Sequence, residues 1–440
     1  EIEGLHTEIG GQALAGFEPP SSELIGLAFA IVILILAFGS VLAMGLPIGV
    51  ALFGVGIGVG TITLLTNVIS IPDFATTLGA MIGLGVGIDY ALFIVTRYRE
   101  GTKVGMDPHR ATVTAIDTAG RAVVFAGITV VISLLGMFIM GLSFINGMAT
   151  GAAATVTITM LASITLLPAL IGFAQERVEV TRWRGLIMAG GAALALLGAG
   201  LRLNTLSMVG VVILVGALVL SFFVPKLRQA LPPRREKPVR ETMPYKWSRL
   251  VQAHPWWIAI GTAIVLVVMS LPVLGMRLGF SDDSTFAEDT TTRQAYDLLA
   301  EGFGPGSNGP VIAVAEVSDP AQIQEVGAAV AGAVGETDGV SAALGPIPSD
   351  DGSAFLIRII PETGPQDAET TALVNTLRDD VVPVVTDGGD VEVLLTGSVA
   401  AGVDFSNYLS DRLPYFYAAV LGLSFLLLMM VFRSVLVPLK

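Results

Sequence analysis

Cysteine is absent from all 440 residues, and histidine occurs only as His6, His109 and His254, far apart in the chain. Those absences exclude disulfide frameworks, thiol catalysis, iron–sulfur clusters and Cys/His zinc sites. Charge is scarce as well: 14% of residues are charged, against about a quarter in ordinary soluble domains. With 53% apolar residues, a soluble fold would lack the polar surface to cover its core, so most of the chain belongs in lipid. No GxxxxGK[ST] pattern occurs, and the alternating Gly54, Gly56, Gly58 and Gly60 lie mid-span. An ion gradient is therefore the expected energy source rather than ATP. Neither Met nor a charged-then-apolar leader opens the chain, which reads as a fragment of a longer protein.

Crossing about 30 Å of hydrocarbon takes roughly 20 apolar residues. Nine runs qualify, near 24–40, 42–66, 74–96, 122–142, 147–173, 186–201, 206–224, 256–275 and 413–432. The short pair at 186–201 and 206–224 reads as a helical hairpin. Basic loops stay cytoplasmic, and one orientation places 18 of the 24 Lys and Arg inside, including eight in the stretch 225–255. Trp183, Trp247, Trp256 and Trp257 flank those inside ends as interfacial anchors would. The basic stretch reads either as a surface for anionic headgroups or, from its four prolines, as a flexible linker.

Residues 277–412 differ sharply from the rest, with 23 Asp and Glu against five Lys and Arg. That balance predicts a soluble domain outside the cytoplasm. Periodicity predicts helices at 290–303, 320–334 and 367–385, and strands at 310–317, 339–345, 353–360 and 391–396. From the first strand onward this is the split βαβ order of a ferredoxin-like domain.

The two ends repeat one another. Ala37-Phe38-Gly39-Ser40-Val41-Leu42 returns as Val431-Phe432-Arg433-Ser434-Val435-Leu436, and Glu8 to Ala13 resembles Leu395 to Ala400. Internal repeats with sites between the halves are a transporter signature.

The span 74–96 carries Gly83-Leu84-Gly85-Val86-Gly87-Ile88-Asp89-Tyr90. A carboxyl that deep costs several kcal/mol if charged and unpaired, so Asp89 is expected to face other helices or water and is the leading candidate for proton binding. Gly79, Gly83, Gly85 and Gly87 are expected to let neighbouring helices approach closely and to place Asp89 in a packed interior. Tyr90 offers a hydroxyl to a facing carboxyl, and Ser133 offers one from another span, unless it bonds its own helix. The plainer reading makes Asp89 a neutral packing residue and Tyr90 an interfacial aromatic.

The Gly83–Tyr90 element with Ala91-Leu92-Phe93, the Arg97-Tyr98-Arg99-Glu100 exit and the Ala37–Leu42 corner resemble the MMPL transporters of the resistance-nodulation-division (RND) superfamily. Arg293 to Leu299 and Phe303 to Pro310 carry the same likeness. The resemblance implies a mainly α, polytopic helical membrane bundle of RND type with an α+β ferredoxin-like extracytoplasmic porter domain. It divides the chain into the end of a first outer domain (1–22), a five-span sterol-sensing-like bundle (23–174), an extra hairpin (175–225) and a basic linker (226–254). A span (255–276), the porter domain (277–412) and the first span of a second half (413–440) follow. It implies proton-driven export of lipids or other hydrophobic molecules across a bacterial inner membrane, with no enzymatic reaction, cofactor, metal or nucleic acid. The implied partners are protons, a lipid or hydrophobic cargo, membrane lipids and, as one option, further copies of the chain. Asp89 and Tyr90 match one Asp-Tyr pair of the family's proton relay; the second pair would lie beyond Lys440. The hairpin at 186–224 departs from the minimal twelve-span pattern. A sterol-sensing-type regulator or a proton-driven secretion accessory is the alternative of another class, and a channel is a weaker third.

Overall fold

Apolar runs become helices in lipid because every backbone N–H and C=O must find its partner within the segment. The computed structural model describes residues 7–11, 21–175, 178, 182–229, 240, 243–277, 279, 281–317, 321–386 and 391–439. The chain divides into a unit of residues 19–255 with 412–440 and a unit of residues 1–18 with 256–411.

In the first unit, α1 (Ser22–Phe38), α2 (Val41–Leu65) and α3 (Phe74–Lys103) lead into α4 (Pro108–Ala115). A π-helical turn at Ile116–Gly120 joins α4 to α5 (Arg121–Leu135). There follow α6 (Ser143–Ala174), α7 (Trp183–Gly200), α8 (Asn204–Phe223) and α9 (Met243–Ala253). The run expected to begin near 122 is helical from Pro108, because the Asp107 carboxylate accepts the His109 N–H at 3.1 Å and proline suits a helix's first turn. Asp117 in the π turn pairs with Arg121, both side chains exposed. The helices α2, α3 and α6 pack on one another, α5 packs on α6, and α7 lies between α1 and α8. In the basic stretch, 230–239 and 241–242 lie outside the described residues, while 243–253 is a helix rather than a linker.

The Phe38-Gly39-Ser40 corner has a physical account. Gly39 adopts φ 64° and ends α1 by donating its N–H to the Ile35 carbonyl. Ser40 caps α2, its hydroxyl oxygen accepting the Ala43 N–H at 3.3 Å while the hydroxyl donates to the Val178 carbonyl. At the matching corner, the last long helix stops at Phe432 and Arg433 takes φ 48°. The earlier part of the repeat has a backbone echo too: Gly11 and Gly397 have φ of 114° and 106°, one position off the sequence register. Gln12 and Ala13 lie outside the described residues.

The second unit contains α10 (Pro255–Ser270), which has no buried residue, and α11 (Thr291–Phe303). A sheet domain follows: β1 (Val311–Glu316), α12 (Ala321–Gly335), β2 (Val340–Pro348) and β3 (Ala354–Pro361). Then come α13 (Ala368–Thr376), a π turn at Leu377–Val381, α14 (Val382–Thr386) and β4 (Val393–Thr396). The strand order is β2-β3-β1-β4 with every neighbouring pair antiparallel, the expected split βαβ topology. Alternation buries Val311, Ala313 and Ala315 of β1 with Phe355, Ile357 and Ile359 of β3. Val330 and Val334 of α12 and Leu373 and Leu377 after β3 complete that core. Residues 7–11 dock on α11: the Ile9 N–H donates to Thr291 Oγ1 at 3.1 Å, and the Thr291 hydroxyl donates to Glu8 Oε2 at 2.5 Å. The final long helix, α15 (Ser398–Phe432), starts 15 residues before the expected span. Arg412, the first residue of this helix that belongs to the bundle unit, donates to the Met140 carbonyl at 3.2 Å.

Candidate functional site

The helix α3 has two faces with different roles. Residues four apart share a face, so Gly79, Gly83 and Gly87 form one ridge, which is buried. A Cβ on Gly83 would lie 2.6 Å from Thr155 Cγ2, and one on Gly87 would lie 3.0 Å from Ala51 Cβ. The backbones of α2, α3 and α6 thus meet across glycines and threonines. Thr155, Thr159 and Ser163 are fully buried and donate to the carbonyls of Gly151, Thr155 and Thr159 at 3.0, 3.0 and 2.9 Å. Their hydroxyls are satisfied inside α6, which leaves their methyl and methylene groups to fill the space above the glycines. The Thr-x3-Thr-x3-Ser spacing was the sequence signal for this stripe, and the reading from residues alone passed over it.

Gly85 and Asp89 stand on the other face. At 100° per residue each lies about 200° from the neighbouring ridge glycine. A Cβ on Gly85 would meet nothing within 4 Å, and Asp89 is exposed. Among the described residues Gly85, expected to pack closely, makes no close helix contact, and Asp89 projects from the side of α3 that they leave open. Tyr90, one residue on, turns into the core, 6% exposed, with its hydroxyl buried and without a hydrogen-bond partner among the described residues. Ser133 lies on α5, which packs on α6, and no hydrogen bond joins it to Asp89 among the described residues.

Beside Asp89 a cavity of about 830 Å³ opens between α3, the end of α1 and the π turn. Asp89, Leu92 and Phe93 form one end, and Arg97, Arg99, Glu100 and Lys103 the other. Arg97 pairs with Glu100 at 2.8 Å and donates to Thr118 Oγ1 at 3.3 Å, and the Arg99 guanidinium sits 5.0 Å over the Phe38 ring. Asp89 lies eight residues, or about 12 Å of helix, from this charged band. The arrangement supplies a carboxylate on an apolar wall with a cationic rim two turns away.

A second cavity, about 1090 Å³, lies within the ferredoxin-like unit between Arg277, Gly279 and Ser281 to Asp283, α11 and the start of α15. Arg277, Asp282, Asp283, Tyr296, Asn308 and Asn407 are among its polar lining. Asp282 Oδ1 accepts the Ser284 N–H at 3.2 Å, whereas Asp282 Oδ2 and Asp283 Oδ1 are buried without partners among the described residues. Burial pushes the Tyr296 phenol up, reinforced by the charges of Asp282 and Asp367. The glycine-rich turn after α11 shapes one wall: Gly306 packs directly against the Pro361 carbonyl, where no Cβ fits, and Asn308 Nδ2 donates to the Tyr296 carbonyl at 3.0 Å. Among the described residues no cluster of three or more His, Cys, Asp or Glu could hold a metal ion.

A polytopic helical membrane bundle with a small antiparallel ferredoxin-like domain and a lone carboxylate in a glycine-lined span defines the class. The chain belongs to the MMPL family, whose sequence model matches residues 3–189 and 287–439. It is 35% identical over 443 residues to Membrane protein YdfJ of Bacillus subtilis, covering 99% of this chain and 53% of that protein. It is also 27% identical to Heme uptake protein MmpL11 of Mycobacterium tuberculosis, covering 96% of this chain and 39% of the relative. Trehalose monomycolate exporter MmpL3 of the same species is 24% identical, with coverage of 95% and 43%. The chain spans about half the length of these curated relatives, or less.

Proposed function

We propose that this chain is part of a membrane transporter that moves lipids or other hydrophobic molecules outward through a bacterial inner membrane, driven by the proton gradient. The observation that carries the reading is Asp89, exposed on the one side of α3 that α2 and α6 leave uncovered. A carboxyl on such a face gains or loses a proton without disturbing the Gly79–Gly83–Gly87 contact behind it. In the complete protein a helix from the second half covers that face, and Asp89 with Tyr90 forms one side of the relay. Protonation removes a charge from the new interface, and the packing change travels along the helices to the acidic extracytoplasmic domain, residues 277–412. There the polar cavity beside Asp282 and Tyr296 receives the polar end of the cargo. Relatives named for trehalose monomycolate export and for haem uptake support a hydrophobic or amphipathic cargo.

Asp89→Asn in the complete protein is expected to abolish cargo flux in proteoliposomes under an imposed pH gradient, with the folded yield unchanged. Undiminished flux in that variant sinks the proton-relay role. Loading cargo on either side of the vesicle separates export from uptake, and absence of flux in the unaltered protein favours the regulator or secretion-accessory reading.

A further inference from the structure

The helix α9 is amphipathic and largely exposed. Met243, Trp247, Leu250 and Val251 follow the i, i+4, i+7, i+8 spacing of a single apolar stripe, and none of the eleven residues of α9 is buried. Met243, Trp247 and Leu250 are 81%, 63% and 49% exposed. At about 100° per residue Lys246 flanks the stripe, and Ser248, Arg249 and Gln252 lie on the polar side of the helix. A stripe this apolar has to be covered, and the chain itself points to the cover. One residue after α9, Pro255 opens the apolar helix α10 with Trp256 and Trp257 behind it, so α9 is tethered where the chain enters hydrocarbon. The surrounding stretch 225–255 carries eight Lys and Arg against two Glu, an excess that suits an anionic surface rather than a dry protein interface.

We infer that α9 is an interfacial helix, lying in the headgroup layer with Trp247 and Leu250 immersed and Lys246 and Arg249 engaging anionic phospholipid headgroups. Independent of the transport reading, this gives the basic stretch a lipid partner of defined charge. It also ties the position of α10 to the lipid composition of the leaflet.

The absence of native cysteine makes the test clean. Single cysteines replacing Trp247, Leu250, Ser248 or Gln252 in the full chain carry nitroxide labels in nanodiscs of phosphatidylcholine, with or without phosphatidylglycerol. In discs containing phosphatidylglycerol, labels at 247 and 250 are expected to be reached by oxygen in preference to an aqueous nickel chelate, and labels at 248 and 252 the reverse. Each basic residue at an anionic surface contributes a factor of about five. Lys246→Gln with Arg249→Gln should therefore weaken the immersion of position 247 fivefold or more, as should omission of phosphatidylglycerol. Equal chelate access at all four positions overturns the inference, and so does immersion indifferent to both lipid charge and the double substitution. Protection of 247 and 250 from both probes assigns the stripe to a protein partner and overturns it as well.

Discussion

The two units bury their interiors by opposite means. In the ferredoxin-like unit, β1 and β3 present Val311, Phe355, Ile357 and Ile359 to α12 and α13, and burial of large side chains holds the layers together. In the bundle, α2, α3 and α6 approach closely where Gly54, Gly58 and Gly83 meet Thr155 and Thr159 and Gly87 meets Ala51. Lipid tails are as apolar as leucine, so helices there gain from close contact rather than from escape from water. The first kind of core is filled to capacity with large groups, and the second works because atoms are missing.

Removal of atoms should therefore break one unit and addition of atoms the other. Ile357 is fully buried at the centre of β3, opposite Ala313. Ile357→Ala is expected to destabilise the sheet unit by about 4 kcal/mol, read as lost hydrogen-exchange protection in β1 and β3 with the bundle amides unchanged. In the bundle, Gly83→Ala would push a methyl onto Thr155 Cγ2 and should cost about 2 kcal/mol, seen as a lower thermal midpoint of the purified chain in detergent. Thr155→Ser removes that methyl and keeps the hydroxyl that bonds Gly151, so adding it to Gly83→Ala should restore most of the loss. A double variant no better than the single one would mean that the glycine ridge is not what sets the helix spacing.

The polar groups of the bundle sharpen the contrast on a smaller scale. Ser40 is 1% exposed and serves two backbone partners at once, the Ala43 N–H and the Val178 carbonyl. Ser40→Ala should cost about 1–2 kcal/mol, the sum of a lost helix cap and a buried carbonyl left without a donor. Ser40→Thr keeps the hydroxyl and should recover most of it in the same melting measurement.

The long apolar helices and the helices of the sheet unit were legible because apolar length and period are local properties of the chain. The sheet order followed from the succession strand, helix, strand, strand, helix, strand, whose usual arrangement is the split βαβ sheet. The orientation of α3 was not legible. Gly79–Gly83–Gly87 and Gly85–Asp89 are both small-residue series at helical spacing, and the choice between them is made by Thr155 and Thr159 some 70 residues away. In the same way Pro232, Pro233, Pro238 and Pro244 suggested a linker, while Met243–Ala253, with Pro244 in its first turn, forms a helix. In both cases the deciding information lay in a neighbouring surface: another helix for α3 and, on the inference above, lipid for α9.

The smallest effect concerns how the two units treat a carboxylate. Asp89 in the bundle accepts no hydrogen bond among the described residues, whereas Asp351, in the turn between β2 and β3, accepts three: from the hydroxyls of Ser349 and Ser353 at 2.7 Å each and from the Ser353 N–H at 3.1 Å. Those donors favour the charged form and hold the Asp351 pKa down to about 2, from an ordinary value of 3.8. A carboxylate whose folded pKa lies below its unfolded value contributes its stabilisation in full above about pH 4, and the contribution fades as pH falls toward 2. The group is fully exposed, so the effect belongs to the turn rather than to global stability. The expected outcome is an Asp351 carboxyl carbon shift that titrates near pH 2 in the folded chain, while the Ser353 amide loses its downfield position over the same range. Ser349→Ala with Ser353→Ala should return that titration toward 3.8 without altering the exchange protection of β2 and β3. An Asp351 that titrates at the ordinary value in the unaltered protein would mean that the turn does not hold its carboxylate as the hydrogen bonds require.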